Sequence, residues 1–455
     1  MKLRIFQSDK GDCLLLEGRS HDGEPGPLVL CDGGMGPSMR NFVRDELSKL
    51  RNNGRNIDLA YISHVDNDHI NGVLQLLEDE VDWRVFDFHA ASGNPIDEPQ
   101  APRPPKINGL LHNSFRDQIS KNRGSISGLA HANAIEQLLA SMAPSFYATA
   151  DPDLAELADE MTAISLGVPE AIKVSKLIAA DALDIPLNQP PGVAKPQNLL
   201  YAGRPGDKFT LGQMEFTLIG PTERELDSLR DGWNTFLKEN KERIKQLRKE
   251  VKDRIEAISS SADGLSPLDL RDWNGIPDFK GVTIPNIASL MFMVEELDDN
   301  GSAARLLLTG DGQQDFILDG LRRTGFLDDN VGLHLDVLKV PHHGSEHNMD
   351  AEFARLVSAD NYVFCANGEH ENPDFAVLDI LFNSRLGKPS VRALAAPATK
   401  NFHFWFSTTS EAQNQGTKKR EYFRRVERKV ESMAVKSQGK LKLHFNESAS
   451  ISLKV

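Results

Sequence analysis

Two rhythms of hydrophobic residues run along the chain. Short apolar runs at 3–6, 12–16 and 28–31 are separated by turn-forming residues, a pattern that predicts three strands. The third ends in Asp32-Gly33-Gly34, where glycine lets the chain turn sharply. A helix is predicted over 39–50, a buried strand over 57–63 and a second helix over 70–78. A proline-rich loop at 94–106 breaks the alternation. Helical spacing then dominates from 107 to 182, with helices expected at 135–142, 154–166 and 171–183, before a second proline-rich loop at 185–198. Strand signals return at 208–219, where Leu211-Gly212-Gln213 suits a hairpin turn. The stretch 223–259 is long and highly charged and reads as a solvated helical cap. Strands follow at 289–294 and 304–309, a helix at 314–325, a strand at 337–340, a helix at 351–357, a strand at 362–365 and a helix at 375–386. A basic stretch begins at Lys418, and strand-like alternation occupies 441–445 and 451–453. Strands alternating with helices set the class as α/β, with helical insertions.

The composition narrows the partners and the compartment. The 455 residues exceed one ordinary domain, and with 40% hydrophobic and 26% charged residues they match a globular chain with a large core. The formal net charge of −14 argues against broad, non-specific nucleic-acid binding, though a local basic patch such as Arg424-Arg425 could serve. Three cysteines without a CxxC spacing form neither a disulfide framework nor a thiolate metal site, which suits a reducing compartment. No run approaches the length of a signal peptide or a membrane span. The expectation is a cytoplasmic protein with no membrane partner.

The chemistry concentrates in Ser63-His64-Val65-Asp66-Asn67-Asp68-His69. Four residues of metal-ligand type stand within six positions, where an apolar strand ends and a helix begins. Neutral imidazoles and hard carboxylate oxygens together suit borderline to hard divalent cations, and a helix N-terminus favours an anionic ligand. A polar loop that only caps a helix explains one such residue, Asp66 or Asn67, but not two His and two Asp. Thr309-Gly310-Asp311 also ends an apolar strand, with a glycine that lets the carboxylate turn outward. Pro341-His342-His343-Gly344 ends another. His89, His112, His131, His334 and His403 read as structural or surface residues.

His-x-Asp-x-Asp-His after an apolar strand resembles the His-x-His-x-Asp-His signature of the metallo-β-lactamase superfamily, with Asp66 in place of the second histidine. The variant is similar to the hydrolase domain of the DNA-uptake protein ComEC and its soluble relatives. The order of the other motifs fits the resemblance: Gln7-Ser8-Asp9-Lys10-Gly11-Asp12, Asp32-Gly33-Gly34, Leu308-Thr309-Gly310-Asp311 and Leu338-Lys339-Val340-Pro341-His342-His343-Gly344-Ser345. It covers roughly 1–90, 200–220 and 285–390. The resemblance implies an αββα sandwich in two halves, 1–92 and 201–400. A helical insertion at 93–200, a charged one at about 222–262 and a C-terminal extension at 401–455 complete the chain.

It also implies two divalent ions, zinc or manganese. One would be held by His64, Asp66 and Asp311. The other would be held by Asp68, His69, His343 and the shared Asp311, with His342 as the second choice for His343. Asp32, Asn286 and Ser345 would stand behind the ligands. Catalytic roles would fall to Asp68 and to His370 as general acid, beside Asn372-Pro373 where the branch carries His-Pro. The expected activity is a two-metal phosphodiesterase acting on DNA or RNA. The alternatives are a hydrolase of a small phosphorylated or cyclic metabolite or a lactone, with 107–183 as a lid, and a non-catalytic interaction module.

Overall fold

In the first sheet, a parallel pair of strands carries the apolar run at 59–62 to the edge where the histidine motif begins. The structure, a computed structural model, describes residues 1–21, 23–113, 170–171, 173–227, 289–297, 303–397 and 400–455. Six strands form the first sheet: β1 (Lys2–Phe6), β2 (Leu14–Glu17), β3 (Leu28–Cys31), β4 (Leu59–Ile62), β5 (Leu110–His112) and β14 (Ser450–Lys454), in the order β14-β1-β2-β3-β4-β5. Eight form the second: β6 (Lys208–Leu211), β7 (Met214–Gly220), β8 (Met291–Leu297), β9 (Ala303–Leu308), β10 (Leu333–Lys339), β11 (Val357–Phe364), β12 (Phe402–Phe406) and β13 (Leu441–Phe445), in the order β13-β12-β11-β10-β9-β8-β7-β6. Strands β9 to β13 run parallel, so the loops after them gather at one edge.

Alternation along each strand divides its side chains between two cores. Leu3, Ile5, Leu14, Leu16, Leu59 and Tyr61 of the first sheet pack against Phe216, Phe292, Leu306 and Val363 of the second. The residues between them, such as Phe6, Leu15, Ala60 and Ile62, turn outward to helices α1 (Arg44–Asn52) and α2 (Asn67–Ala91) and to Ala171, Val174, Ile178, Leu183 and Ile185. Helices α3 (Gln314–Arg323), α4 (Ala351–Leu356), α5 (Phe375–Leu386) and α6 (Lys418–Lys436) cover the outer face of the second sheet. The layers are therefore α, β, β, α. Both faces of the central strands are buried, which is why those strands read as nearly continuous apolar runs.

The hairpin expected at 211–213 joins β6 to β7, with Gly212 at φ 61°. The helix expected over 70–78 begins at Asn67 and continues to Ala91. Residues 110–112 depart from the helical expectation: they are a buried strand that pairs in parallel with β4. Docking on a sheet edge overrides the helical spacing around so short an apolar segment. The strand at 402–406 was not assigned from the sequence, and the strand expected at 362–365 begins earlier, at Val357. Residues 401–455 are built into both sheets, with β12 and β13 extending the second and β14 pairing antiparallel with β1. The basic stretch is α6, seated through Phe423, Val426, Val430 and Met433. The helices expected at 135–142 and 154–166, most of 223–259, and Asn286 and His131 lie outside the described residues. The three cysteines are free and buried. Among the described residues, no helix is long and apolar enough to cross a membrane.

Candidate metal centre

Two seams bring the distant motifs together. The Leu290 N–H donates to the Ser63 carbonyl at 2.8 Å, tying the end of β4 to the second sheet. The His342 N–H donates to the Gly310 carbonyl at 3.3 Å, joining the loops after β9 and β10. Within the first half, the Gly33 N–H donates to the His69 carbonyl at 2.8 Å, and the Gly72 N–H to the Gly34 carbonyl at 3.0 Å. A Cβ on Gly72 would lie 1.9 Å from the Gly33 oxygen, so this crossing requires glycine.

The Oδ2 oxygen of Asp311 is the hub. It lies 3.3 Å from His69 Nε2, 3.3 Å from His343 Nε2, 3.6 Å from His64 Nε2 and 3.8 Å from His342 Nε2. Asp66 Oδ2 is 3.4 Å from His64 Nε2, while Asp68 Oδ2 is 3.6 Å from His343 Nε2 and Asp68 Oδ1 is 4.0 Å from His69 Nε2. Atoms bound tetrahedrally to one cation at 2.0–2.2 Å stand about 3.3–3.6 Å apart, a spacing matched by all of these distances except those of His342 Nε2 and Asp68 Oδ1, which are longer. Two groups of three could each hold an ion: His64, His69 and Asp311; and Asp12, His69 and His343. The second includes Asp12, part of the Gln7-Ser8-Asp9-Lys10-Gly11-Asp12 motif but outside the ligand sets expected from the sequence. His69 belongs to both groups, whereas the expected ligand sets assigned it to one ion.

Each imidazole is held from behind. Ser63 Oγ is 3.0 Å from His64 Nδ1 and Asp32 Oδ2 is 3.0 Å from His69 Nδ1. His343 Nδ1 donates to the Cys365 carbonyl at 2.8 Å, and Asn348 Oδ1 is 2.7 Å from His342 Nδ1. Acceptors at Nδ1 fix the tautomer that leaves Nε2 with its lone pair toward the hub. Asp32 is itself fixed by two donors from Ser63, the N–H at 2.7 Å and the hydroxyl at 2.8 Å. Asp66 stands at the N-cap of α2, yet its carboxylate makes no capping bond. Among the described residues, buried His64 Nε2, His69 Nε2, His343 Nε2, Asp66 Oδ1, Asp12 Oδ1 and Asp311 Oδ1 have no hydrogen-bond partner. Leaving so many buried polar atoms unsatisfied is costly. A cation among the three imidazole Nε2 atoms would satisfy them, so the residues fit a divalent metal.

Electrostatics lead to the same place. Burial works against the charge on Asp311, but His343 and His69 beside it hold its carboxyl well below the usual range. Burial likewise opposes a charged His343, but Asp311 and Asp12 carry its pKa up to about 9. His69 is also raised well above its ordinary value, by Asp311 and Asp32 against the same burial. The carboxylates thus draw positive charge to the spot that an ion would fill. His342 goes the other way, lowered by its burial. The backbone is strained where the ligands turn inward, with φ of 44° at His342 and 56° at His343.

The remaining expected residues fall around this centre. Ser345 is buried, and its hydroxyl accepts from the His347 N–H at 3.4 Å rather than from an imidazole. His370 stands with its Nε2 3.4 Å from Lys10 Nζ and 4.0 Å from a Glu369 oxygen. Lys10 is close enough to Asp68 to join His69 and His343 in lowering that carboxyl against the effect of burial. Lys10 and His370 therefore stand near Asp68 as a polar rim.

Among solved structures, the crystal structure of the metallo-β-lactamase MIM-1 from Novosphingobium pentaromativorans aligns with the chain at 10% identity and a TM-score of 0.24, covering 96% of this chain and 91% of that one. A likeness at that level carries no argument about site or activity. No family model and no curated protein matches the chain.

Proposed function

We propose that the chain is a metal-dependent hydrolase that cleaves phosphodiesters, with nucleic acid as its substrate class. One observation carries the reading: four imidazole Nε2 atoms surround a single oxygen of Asp311 at 3.3–3.8 Å, with those of His64, His69 and His343 unsatisfied among the described residues. His64, Asp66 and Asp311 would hold one ion and Asp68, His69, His343 and Asp311 the other, with Asp12 and His342 at the margins. Divalent ions held there supply Lewis acidity and an activated water near neutral pH.

The protein's own groups do the rest. Asp311 faces the imidazoles of both ligand sets with Oδ2 and would be shared between them. Ser63 and Asp32 keep His64 and His69 in the tautomer that coordinates. Lys10 binds a phosphoryl oxygen through Nζ; His370 Nε2 stands 3.4 Å from that ammonium as its acceptor, so the departing oxygen takes its proton from water rather than from this nitrogen. The preference for nucleic acid follows the motif order and the lysine, Lys10, at the rim. It does not draw on the tail, where the expected phosphate contacts are already engaged: Arg424 pairs with Glu411 at 2.8 Å, and Arg425 lies over Phe375 and Tyr422 at 5.2 and 5.3 Å.

The test is a substrate screen of the purified chain with Mn²⁺ or Zn²⁺. Single- and double-stranded DNA, RNA and a simple phosphodiester are compared with lactone and carboxylic esters. Nucleic-acid cleavage that stops with a chelator, and falls more than about 100-fold in Asp68→Ala, is the expected result, a loss beyond that of removing a supporting partner. Cleavage of esters with phosphodiesters untouched would replace this reading with the small-molecule one. Neither turnover nor metal uptake would leave an interaction module.

A further inference from the structure

Lys339, the last residue of β10, is 1% exposed. Its Nζ forms an ion pair with Asp12 Oδ2, donates to the Gly310 carbonyl at 2.9 Å and lies 3.6 Å from Asp311 Oδ1. The two oxygens of Asp311 therefore face opposite ways. Oδ2 looks at the four imidazoles and Oδ1 looks at the ammonium. Five carboxylates crowd this region, those of Asp12, Asp32, Asp66, Asp68 and Asp311. Among the described residues, no other lysine or arginine comes within 4 Å of any of them. A buried ammonium is expensive unless it is paired and hydrogen-bonded, and here it is both.

We propose that Lys339 is an internal counter-ion of the metal centre: it holds the ion-free cluster together, turns one oxygen of Asp311 away from incoming cations, and sets their affinity below what the carboxylates alone would give. The inference rests on the metal reading above. A cation and a resident ammonium compete for the same negative field, so removing the ammonium strengthens cation binding while it weakens the empty site. An ion pair that merely fastened β10 to the loop between β1 and β2 would lower stability equally with and without metal. Coupling to metal therefore separates the two roles.

The experiment compares the native chain with Lys339→Met, a variant of similar volume without the charge. Mn²⁺ affinity is read by calorimetry and thermal stability is read with Mn²⁺ and with chelator. The expected result is Mn²⁺ binding tighter by about tenfold or more, from the scale of charge interactions at partly buried sites. A wider gap between the melting temperatures of the loaded and empty forms should accompany it. If Lys339→Met does not fold, the same comparison is made between Asp12→Asn and the double variant Asp12→Asn/Lys339→Met, which carries no buried orphan of the pair. Tighter binding on removal of Lys339 supports the proposal in either background. Unchanged Mn²⁺ affinity with an equal stability loss in both forms overturns it and leaves a structural ion pair. A native chain that takes up no Mn²⁺ overturns the metal reading, and this inference with it.

Discussion

Ser63 serves three neighbours with two groups: its N–H and hydroxyl both donate to Asp32, and its oxygen lies 3.0 Å from His64 Nδ1 and 3.2 Å from His69 Nδ1. Asp32→Asn keeps the shape but removes the charged acceptor behind His69. We expect metal affinity about 10–100-fold weaker with the fold retained, as for other groups that orient a ligand imidazole; calorimetry of the variant decides it. His112 gives a second expectation. The sequence marked it as structural or surface, and it is a 1%-exposed residue on β5. Burial lowers its pKa from 6.5 to about 4, partly opposed by the Ile62 backbone. The unfolded chain therefore binds the extra proton between those values. His112 favours the fold above pH 6.5 and loses that advantage as pH falls toward 4, roughly 3 kcal/mol over the range. His112→Leu should flatten melting temperature against pH in this window, and a curve as steep as the native one would refute the assignment.

At the scale of elements, the crossing of α2 over the Gly33 turn decides where His69 points. Gly72→Ala would push a methyl into the Gly33 carbonyl, so the helix must shift. We expect about 1–3 kcal/mol of lost stability and weaker metal binding together, measured by melting and by titration. Elements of this kind were legible where local pattern governs. The ends of β4, β9 and β10 could be read because an apolar run stops at a polar cluster. The strand β5 was not legible, since only three residues pair with a partner some fifty positions away, and helical spacing surrounds them. The hub of Asp311 was legible as residue types at strand ends. Which of its oxygens meets the imidazoles, and that Asp12 and Lys339 stand behind it, depends on side-chain directions that spacing does not encode.

Across the whole molecule, the C-terminal segment closes both sheets. Deleting residues 441–455 would remove β13 and β14 and bare the edges of β12 and β1. Exposed edges invite pairing between chains, so the truncated protein is expected to elute as aggregates in size-exclusion chromatography; a well-behaved monomer would show that the edges are otherwise protected. The same architecture has a consequence for the cluster at its rim. His64, Asp66, Asp68 and His69 come from one leaf of the sandwich, and Asp311, His342 and His343 from the other. A cation lodged between them would act as a rivet through both leaves. Its departure would slacken that rim while the apolar core still held the layers together, so that the proposed ion site would double as a fastening at the edge of the sandwich.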